Sequence, residues 1–499
     1  MIPILSSAQL RDLDRVTIRN QGIRSIDLME RASTAFVSAL LDDFPFINNP
    51  VVICGTGNNG GDGLAIARLL AGRGISPRVF IAGNPDQGSQ DFGENLNRLP
   101  DSISWKIIGS GGELDLTGSD LVIDAVFGFG LDRPAGGMYK EVIEGINRSD
   151  LTVVSVDVPS GLMADGSPSQ PIVQADLTIT FQVPKLGLLL PETGGHTRSW
   201  KMVDIGLDHH ALGAITAREF LVEAADIKSI YRPRKKFSHK GSYGYALIAG
   251  GSTGMTGAPV LSAMAALRSG AGVVTAHVPR CGMVPLQAAL PEAMVSADPD
   301  DEVVTVFPEP SGFTTAGVGP GLGKDPRSGR ALMKFMEKAT FPLVLDADAL
   351  NLLSVHSAML AGVPRHSILT PHPGEFRRLA GEWTSGPEKL RLLRQLAQGH
   401  QLYVVLKGAH SAIACPDGRV LFNNSGTPFL ATAGSGDVLT GMITALLSQG
   451  YSPGDAAVAG VFLHGKAGEI AAGKGHPIVA SDLIQAIPEA WEMAFLGQN

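Results

Sequence analysis

Two carboxylates stand where a proton could be taken from a bound hydroxyl. Asp437 follows Gly434-Ser-Gly436 and precedes Val438, Leu439, Met442, Ile443, Leu446 and Leu447, apolar residues at helical spacing that run out at Gly450. A turn of small residues that opens a helix lets backbone N–H groups converge on an anion at the positive helix end. A carboxylate in that first turn can deprotonate a hydroxyl while the N–H groups hold phosphoryl oxygens, which is the equipment of phosphoryl transfer. An acidic residue also favours a helix N-terminus for its own sake, so Gly-Ser-Gly-Asp alone leaves both readings open. Asp157 closes the apolar run Thr152–Val156 and precedes Val158-Pro-Ser-Gly161. There it is a rigidly held acid or base, or a carboxylate that fastens loop N–H groups.

Other polar residues fall at comparable places. Gly55-Thr-Gly-Asn-Asn-Gly-Gly-Asp-Gly63 links a buried strand, Pro50–Cys54, to a helix carrying Leu64, Ile66, Ala67, Leu69 and Leu70. Strand, glycine-rich turn and helix make a phosphate-binding layout, although the glycine spacing is not the dinucleotide fingerprint. Asn58, Asn59 and Asp62 add polar groups that a plain turn does not need. Asp124 precedes Gly128–Pro134, and Lys185 follows another strand. In the second half, glycine-rich loops at 250–257 and 316–323, Asp346 with Asp348, His372 between two prolines, and Lys407-Gly408 all come just after apolar runs. Asp346 and Asp348 suit either a structural role or water-mediated contact with Mg²⁺.

These groups need elements to hold them. Strands are expected at 50–54, 78–82, 121–126, 152–157 and 177–181, then at 245–249, 272–278, 342–346, 368–369 and 402–406, with helices or loops between. That alternation predicts parallel sheets covered on both faces, with ligands beyond the carboxyl ends of the strands. Residues 8–41 read as helical, without evident chemistry. The chain has 499 residues, 44% of them hydrophobic, which predicts more than one domain. A net charge of −8 with one short basic cluster, Tyr231–Lys236, argues against nucleic acid. Three scattered cysteines carry no disulfide or zinc spacing and fit a reducing cytoplasm. Neither a signal peptide nor a membrane span is expected, because Pro259 and repeated glycines interrupt the uncharged stretch 241–267.

Gly57–Gly63, Asp124–Gly130, Val156–Gly161 and Pro184–Gly187 together resemble the NAD(P)H-hydrate epimerase family. The resemblance implies a Rossmann-like doubly wound sheet over residues 1–215 and interconversion of the R and S hydrates of NADH and NADPH. It makes Asp157 the acid–base residue and gives Asn59, Asp124 and Ser160 a potassium ion. Asn58, Asn59, Gly60, Gly61 and Asp62 would meet the nucleotide from one side. Gly128, Phe129, Gly130, Leu131, Asp132, Arg133 and Pro134 would meet it from the other.

Gly250–Pro259, Val318–Gly323, Leu369–Glu375 and Gly434–Leu439 resemble the ADP/ATP-dependent NAD(P)H-hydrate dehydratases, within the ribokinase superfamily. An α/β sandwich over 225–499 follows, with Mg²⁺ and with ADP or ATP as co-substrate. Ala258, Gly321, His372 and Asp437 would touch the hydrate. Lys407, Gly408, Ala409, His410, Ser411 and Gly436 would touch the adenine nucleotide. Ser411 stands where threonine is more usual and keeps the hydroxyl. Both halves on one chain resemble the bifunctional repair enzymes of prokaryotes, which implies small-molecule substrates; a cytoplasmic homo-oligomer is expected. The alternative is a vitamin-precursor kinase joined to a nucleotide-binding scaffold.

Overall fold

The computed structural model describes residues 1–355, 357–473 and 475–496. The chain forms two compact units: Ile2–Ala217 with Ser385–Pro387, and Met1 with Arg218–Thr384 and Glu388–Asn499.

The first unit opens with a short strand, β1 (Ile2–Ile4). Two helices follow, α1 (Ser7–Gln21) and α2 (Ser25–Asp43). The sequence predicts continuous helix here. The break comes at Gly22, whose φ of 63° places it in the left-handed region that ends helices. The sheet strands are β2 (Pro50–Cys54), β3 (Arg78–Ala82), β4 (Trp105–Ile108), β5 (Leu121–Ala125), β6 (Thr152–Val156), β7 (Ala175–Phe181) and β8 (Thr197–Val203). Their order is β4-β3-β2-β5-β6-β7-β8, and every pairing is parallel. The sequence assigns no strand at β4 or β8, which the structure places at the two edges of the sheet. β2 shows why the sheet is covered twice. Val52 and Cys54 pack with Phe36 of α2 and with Leu64 and Ile66 of α3 (Asn58–Ala71). Val51 and Ile53 pack on the other face with Val142 and Ile143. Side chains alternate along a strand, so an all-apolar strand requires an apolar partner on each face.

In the second unit the strands are β9 (Glu219–Leu221), β10 (Tyr245–Ala249), β11 (Val273–Val278), β12 (Met294–Ala297), β13 (Thr315–Val318), β14 (Leu343–Leu345), β15 (Ile368–Leu369), β16 (Tyr403–Leu406), β17 (Ala412–Ala414) and β18 (Val420–Phe422). They run β9-β18-β17-β16-β15-β14-β13-β10-β11-β12. Pairing is parallel except along β16-β17-β18, where two short connections allow antiparallel neighbours. Segment 207–230 holds β9, which pairs with β18. The helix Ser435–Ser448 is buried along most of its length and packs against the helix Gly257–Arg268 on one side of the sheet. Among the described residues no helix is long and apolar enough to cross a membrane.

Candidate active sites

In the first unit, β2, β5, β6 and β7 bring their carboxyl ends to one edge, and a cavity of about 1100 Å³ opens beside them. Gly57, Asn58, Asn59 and Asp62 line it from the turn before α3, and all of 128–134 lines it from the loop after β5. Gly60 and Gly61 do not. They are buried beneath the turn, where a Cβ on Gly60 would fall 1.7 Å from the Gly55 carbonyl oxygen. Their lack of side chain serves packing of turn against strand.

Asp157 has a φ of 68°, unusual outside glycine. Its Oδ1 accepts from Lys185 Nζ at 2.5 Å, Phe181 N at 3.1 Å and Thr180 Oγ1 at 3.3 Å. Lys185 is 1% exposed and also donates to the Phe181 carbonyl at 2.8 Å. A buried carboxylate and ammonium in direct contact satisfy each other. Both line the cavity. Asp62, buried against α2, accepts a long 3.5 Å bond from Ser33, and burial first, then Asp157 and Asp14, hold its carboxyl well above the usual range.

Asp124 and Ser160 are fully buried and do not line the cavity. Asp124 Oδ2 accepts from Ser155 Oγ and Ser160 N, both at 2.8 Å, and Oδ1 accepts from Ser160 Oγ at 2.5 Å. Ser160 Oγ in turn accepts from Phe127 N at 2.8 Å. Asn59 reaches the same loop, since its Oδ1 would lie 2.9 Å from a Cβ built on Gly128. Its Nδ2 is buried without a partner. Amide, hydroxyl and carbonyl oxygens with one carboxylate make a weakly charged donor set, which fits a monovalent cation. Turned over, the unpartnered amide would offer an oxygen instead of N–H, the donor type a cation needs. Among the described residues no cluster of three or more His, Cys, Asp or Glu is arranged for a metal.

In the second unit, Gly434 starts the helix Ser435–Ser448 at a φ of 85°. Asp437 sits in the first turn. Burial, then repulsion from Asp346, pushes its carboxyl up to about 6, against the pull of Lys407. Lys407 Nζ donates to Asp346 Oδ1 at 2.6 Å and would lie 3.0 Å from a Cβ on Gly436, so the ammonium hangs over the helix start. The other oxygen of Asp346 accepts from Thr440 Oγ1 at 2.7 Å. Asp348 caps the glycine loop through Gly323 N at 2.9 Å. Gly321 lies against Ala258, and Ser262, one turn further along that helix, donates to the Asp437 carbonyl at 2.8 Å. Ala258, Gly321, Asp437, Lys407 and Gly436 therefore converge. Gly408–Ser411 form a half-exposed turn after β16, closed by Gly408 N to Ser411 Oγ at 3.4 Å. His410 Nδ1 bonds the Asn423 carbonyl at 3.0 Å.

His372 has a structural duty. It caps the helix Pro373–Ala380, with Nδ1 accepting from Gly374 N at 3.0 Å and Glu375 N at 3.3 Å. Partial burial and the charges of Lys407 and Arg378 lower its pKa, which keeps the acceptor nitrogen bare. Its side chain is 53% exposed, and Nε2 lies 3.4 Å from Oε1 of the buried Glu375. As for Mg²⁺, Asp346 and Asp348 already hold protein donors, which fits an ion bound through water and nucleotide oxygens better than a ring of carboxylates.

Residues 25–187 match the family model described as YjeF-related protein N-terminus, and residues 246–489 match the one described as NAD(P)H-hydrate dehydratase. The chain is 38% identical to the bifunctional NAD(P)H-hydrate repair enzyme Nnr of Moorella thermoacetica, covering 97% of this chain and 96% of that one. The chain belongs to the bifunctional NAD(P)H-hydrate repair enzymes. The Escherichia coli member is 33% identical, covering 93% of this chain and 89% of its own. A ribokinase-like superfamily protein of Enterococcus faecalis superimposes with a TM-score of 0.50 at 25% identity, covering 56% of this chain and 98% of that one. The resemblance read from the motifs is borne out. Matches spanning both halves set aside the reading as a vitamin-precursor kinase with a scaffold module.

Sequence reasoning missed several contacts within this repair-enzyme framework. Asp14 of α1 lines the first cavity, although nothing in the polar helix pattern distinguishes it from Asp12. His464 is buried under the anion turn and bonds the Ser435 carbonyl at 2.9 Å, and burial lowers it to about 4, so it stays neutral. Thr440 reads as one more small residue of an apolar helix.

Proposed function

We propose that residues 1–215 interconvert the R and S hydrates of NADH and NADPH, and that residues 225–499 dehydrate the S form at the expense of ADP or ATP. The observation that carries the second half is Asp437 beside a helix N-terminus that no side chain caps, with Lys407 poised above it. Asp437 takes the proton from the C6 hydroxyl. The oxygen attacks the terminal phosphoryl group, whose charge rests on the N–H groups of 434–436 and on Lys407. The bond to the leaving nucleotide breaks. The ring nitrogen lone pair then expels phosphate, and loss of the neighbouring ring proton restores the reduced nicotinamide. Mg²⁺, when bound with the nucleotide, would neutralise phosphoryl charge near Asp346 and Asp348. His464 holds the anion turn through Ser435, and Gly408–Ser411 offer backbone groups to the adenine nucleotide.

In the first half, Asp157, held in place by Lys185, acts as acid and base toward the C6 hydroxyl. Asn59, Asp124 and Ser160 would hold potassium, which would pin the turn before α3 to the loop after β5. The free thiols Cys54, Cys281 and Cys415 suit a reducing cytoplasm. The test is incubation with mixed R and S NADH hydrates, with and without ADP. Full recovery of the reduced nicotinamide with ADP, one phosphate released per molecule, is expected. A phosphorylated product that accumulates in place of reduced nicotinamide would overturn the reading.

A further inference from the structure

Epimerisation at C6 has a geometric demand that one carboxylate does not meet. The hydroxyl leaves one face of the ring and oxygen returns on the other, so proton donor and acceptor are needed on two sides. Asp157 comes from the end of β6, and its Oδ1 is occupied by Lys185 and Phe181 N. A second carboxyl enters the same cavity from α1. Asp14 lines it, is partly buried, and takes no hydrogen bond from the protein among the described residues.

We propose, on the reading of the first unit as an epimerase, that Asp14 is its second catalytic residue and exchanges a proton with the C6 oxygen across the ring from Asp157. Asp14 donates its proton to the C6 hydroxyl. The C6–O bond breaks, the ring nitrogen lone pair forms a C=N⁺ bond, and water departs. A water on the other face bonds to C6 as its proton passes to Asp157, and the electron pair returns to nitrogen. One oxygen has been exchanged with solvent and one proton has moved from Asp14 to Asp157, to be returned through solvent. The reverse isomerisation runs from the opposite protonation state.

The surroundings of Asp14 suit a donor. Burial and the Asp157 charge push its carboxyl up to about 6, with Lys185 pulling the other way. Asp62 faces it from α3, Arg11 and Arg15 share its helix, and Asp132 and Arg133 border the cavity from the loop after β5. A group titrating near 6 keeps a usable protonated fraction near neutral pH while its conjugate base remains a competent acceptor.

The experiment follows R-to-S conversion of NADH hydrate without nucleotide, in ¹⁸O-labelled water, for the wild type, Asp14→Asn and Asp14→Glu. In the wild type, label should enter in step with epimerisation, and the rate should fall as pH rises through about 6. Asp14→Asn should lose about 100-fold or more in kcat with little change in KM and no limb near that pH, and Asp14→Glu should recover part of the rate. Asp14→Asn should melt no lower than wild type at pH 7, since it removes a carboxylate that is costly to ionise there. An Asp14→Asn protein of near wild-type rate, retention of the original oxygen, or a loss that Glu does not relieve and that leaves the pH limb in place would each overturn the proposal. A wild type that leaves the isomers at their spontaneous rate overturns the epimerase reading itself.

Discussion

Asp437 shows how one residue links rate, stability and pH. Its carboxyl titrates near 6 because burial and Asp346 disfavour its charge. As a general base it works only when ionised, so ADP-dependent dehydration of S hydrate should fall as pH drops through about 6. Asp437→Asn should cut that rate by about 10²–10⁴. Stability runs the other way. A carboxyl whose folded pKa lies above its unfolded value, here 3.8, favours the fold below that value and loses this contribution as pH rises through about 6. The asparagine variant should therefore melt higher than wild type at pH 7 and lose that advantage near pH 4. A variant with unchanged turnover would remove Asp437 from the chemistry, and one with lower melting at both pH values would contradict the electrostatic account.

At the scale of elements, the glycine turns decide where the side chains can go. A Cβ on Gly434 would come within 2.7 Å of Leu261 and 2.9 Å of Ala480, at a φ that L residues avoid. Gly434→Ala should cost at least about 1 kcal/mol and displace the anion turn, raising KM for the nucleotide more than Gly408→Ala, whose added methyl meets nothing. Equal effects from the two would sink this. Potassium belongs to the same scale, because it would join two loops. The wild type should melt higher in potassium than in choline chloride, and Asp124→Ala should abolish the difference. A wild type indifferent to the cation would remove the ion from the site.

The elements also show what the sequence could reveal. β2, β3 and β5 are legible because runs such as Val51-Val-Ile-Cys54 are apolar on both faces. The places of Asp157 at a strand end and Asp437 at a helix start are legible because each is a local feature. Asp14 is not, since its meaning arises from a cavity built by β5, β6 and α3. The Asp346–Lys407–Thr440 network joins residues 61 and 94 positions apart, and no local pattern encodes that. Gly22 is a signal that the helical periodicity around it masks.

For the whole molecule, each unit has its own buried core, and the residues named at each candidate site belong to a single unit. Chemistry in one unit should then survive loss of the other. Asp157→Asn should consume S hydrate with ADP and leave R hydrate to its spontaneous conversion, while Asp437→Asn should equilibrate the isomers and restore neither. Because the S hydrate is a small soluble molecule, it can leave one protein and enter another. An equimolar mixture of the two variants should therefore restore ADP-dependent repair of pure R hydrate, at a rate that rises with protein concentration. Repair by the mixture no faster than by Asp157→Asn alone would mean that the S form does not pass through free solution, and the two sites would have to be treated as one.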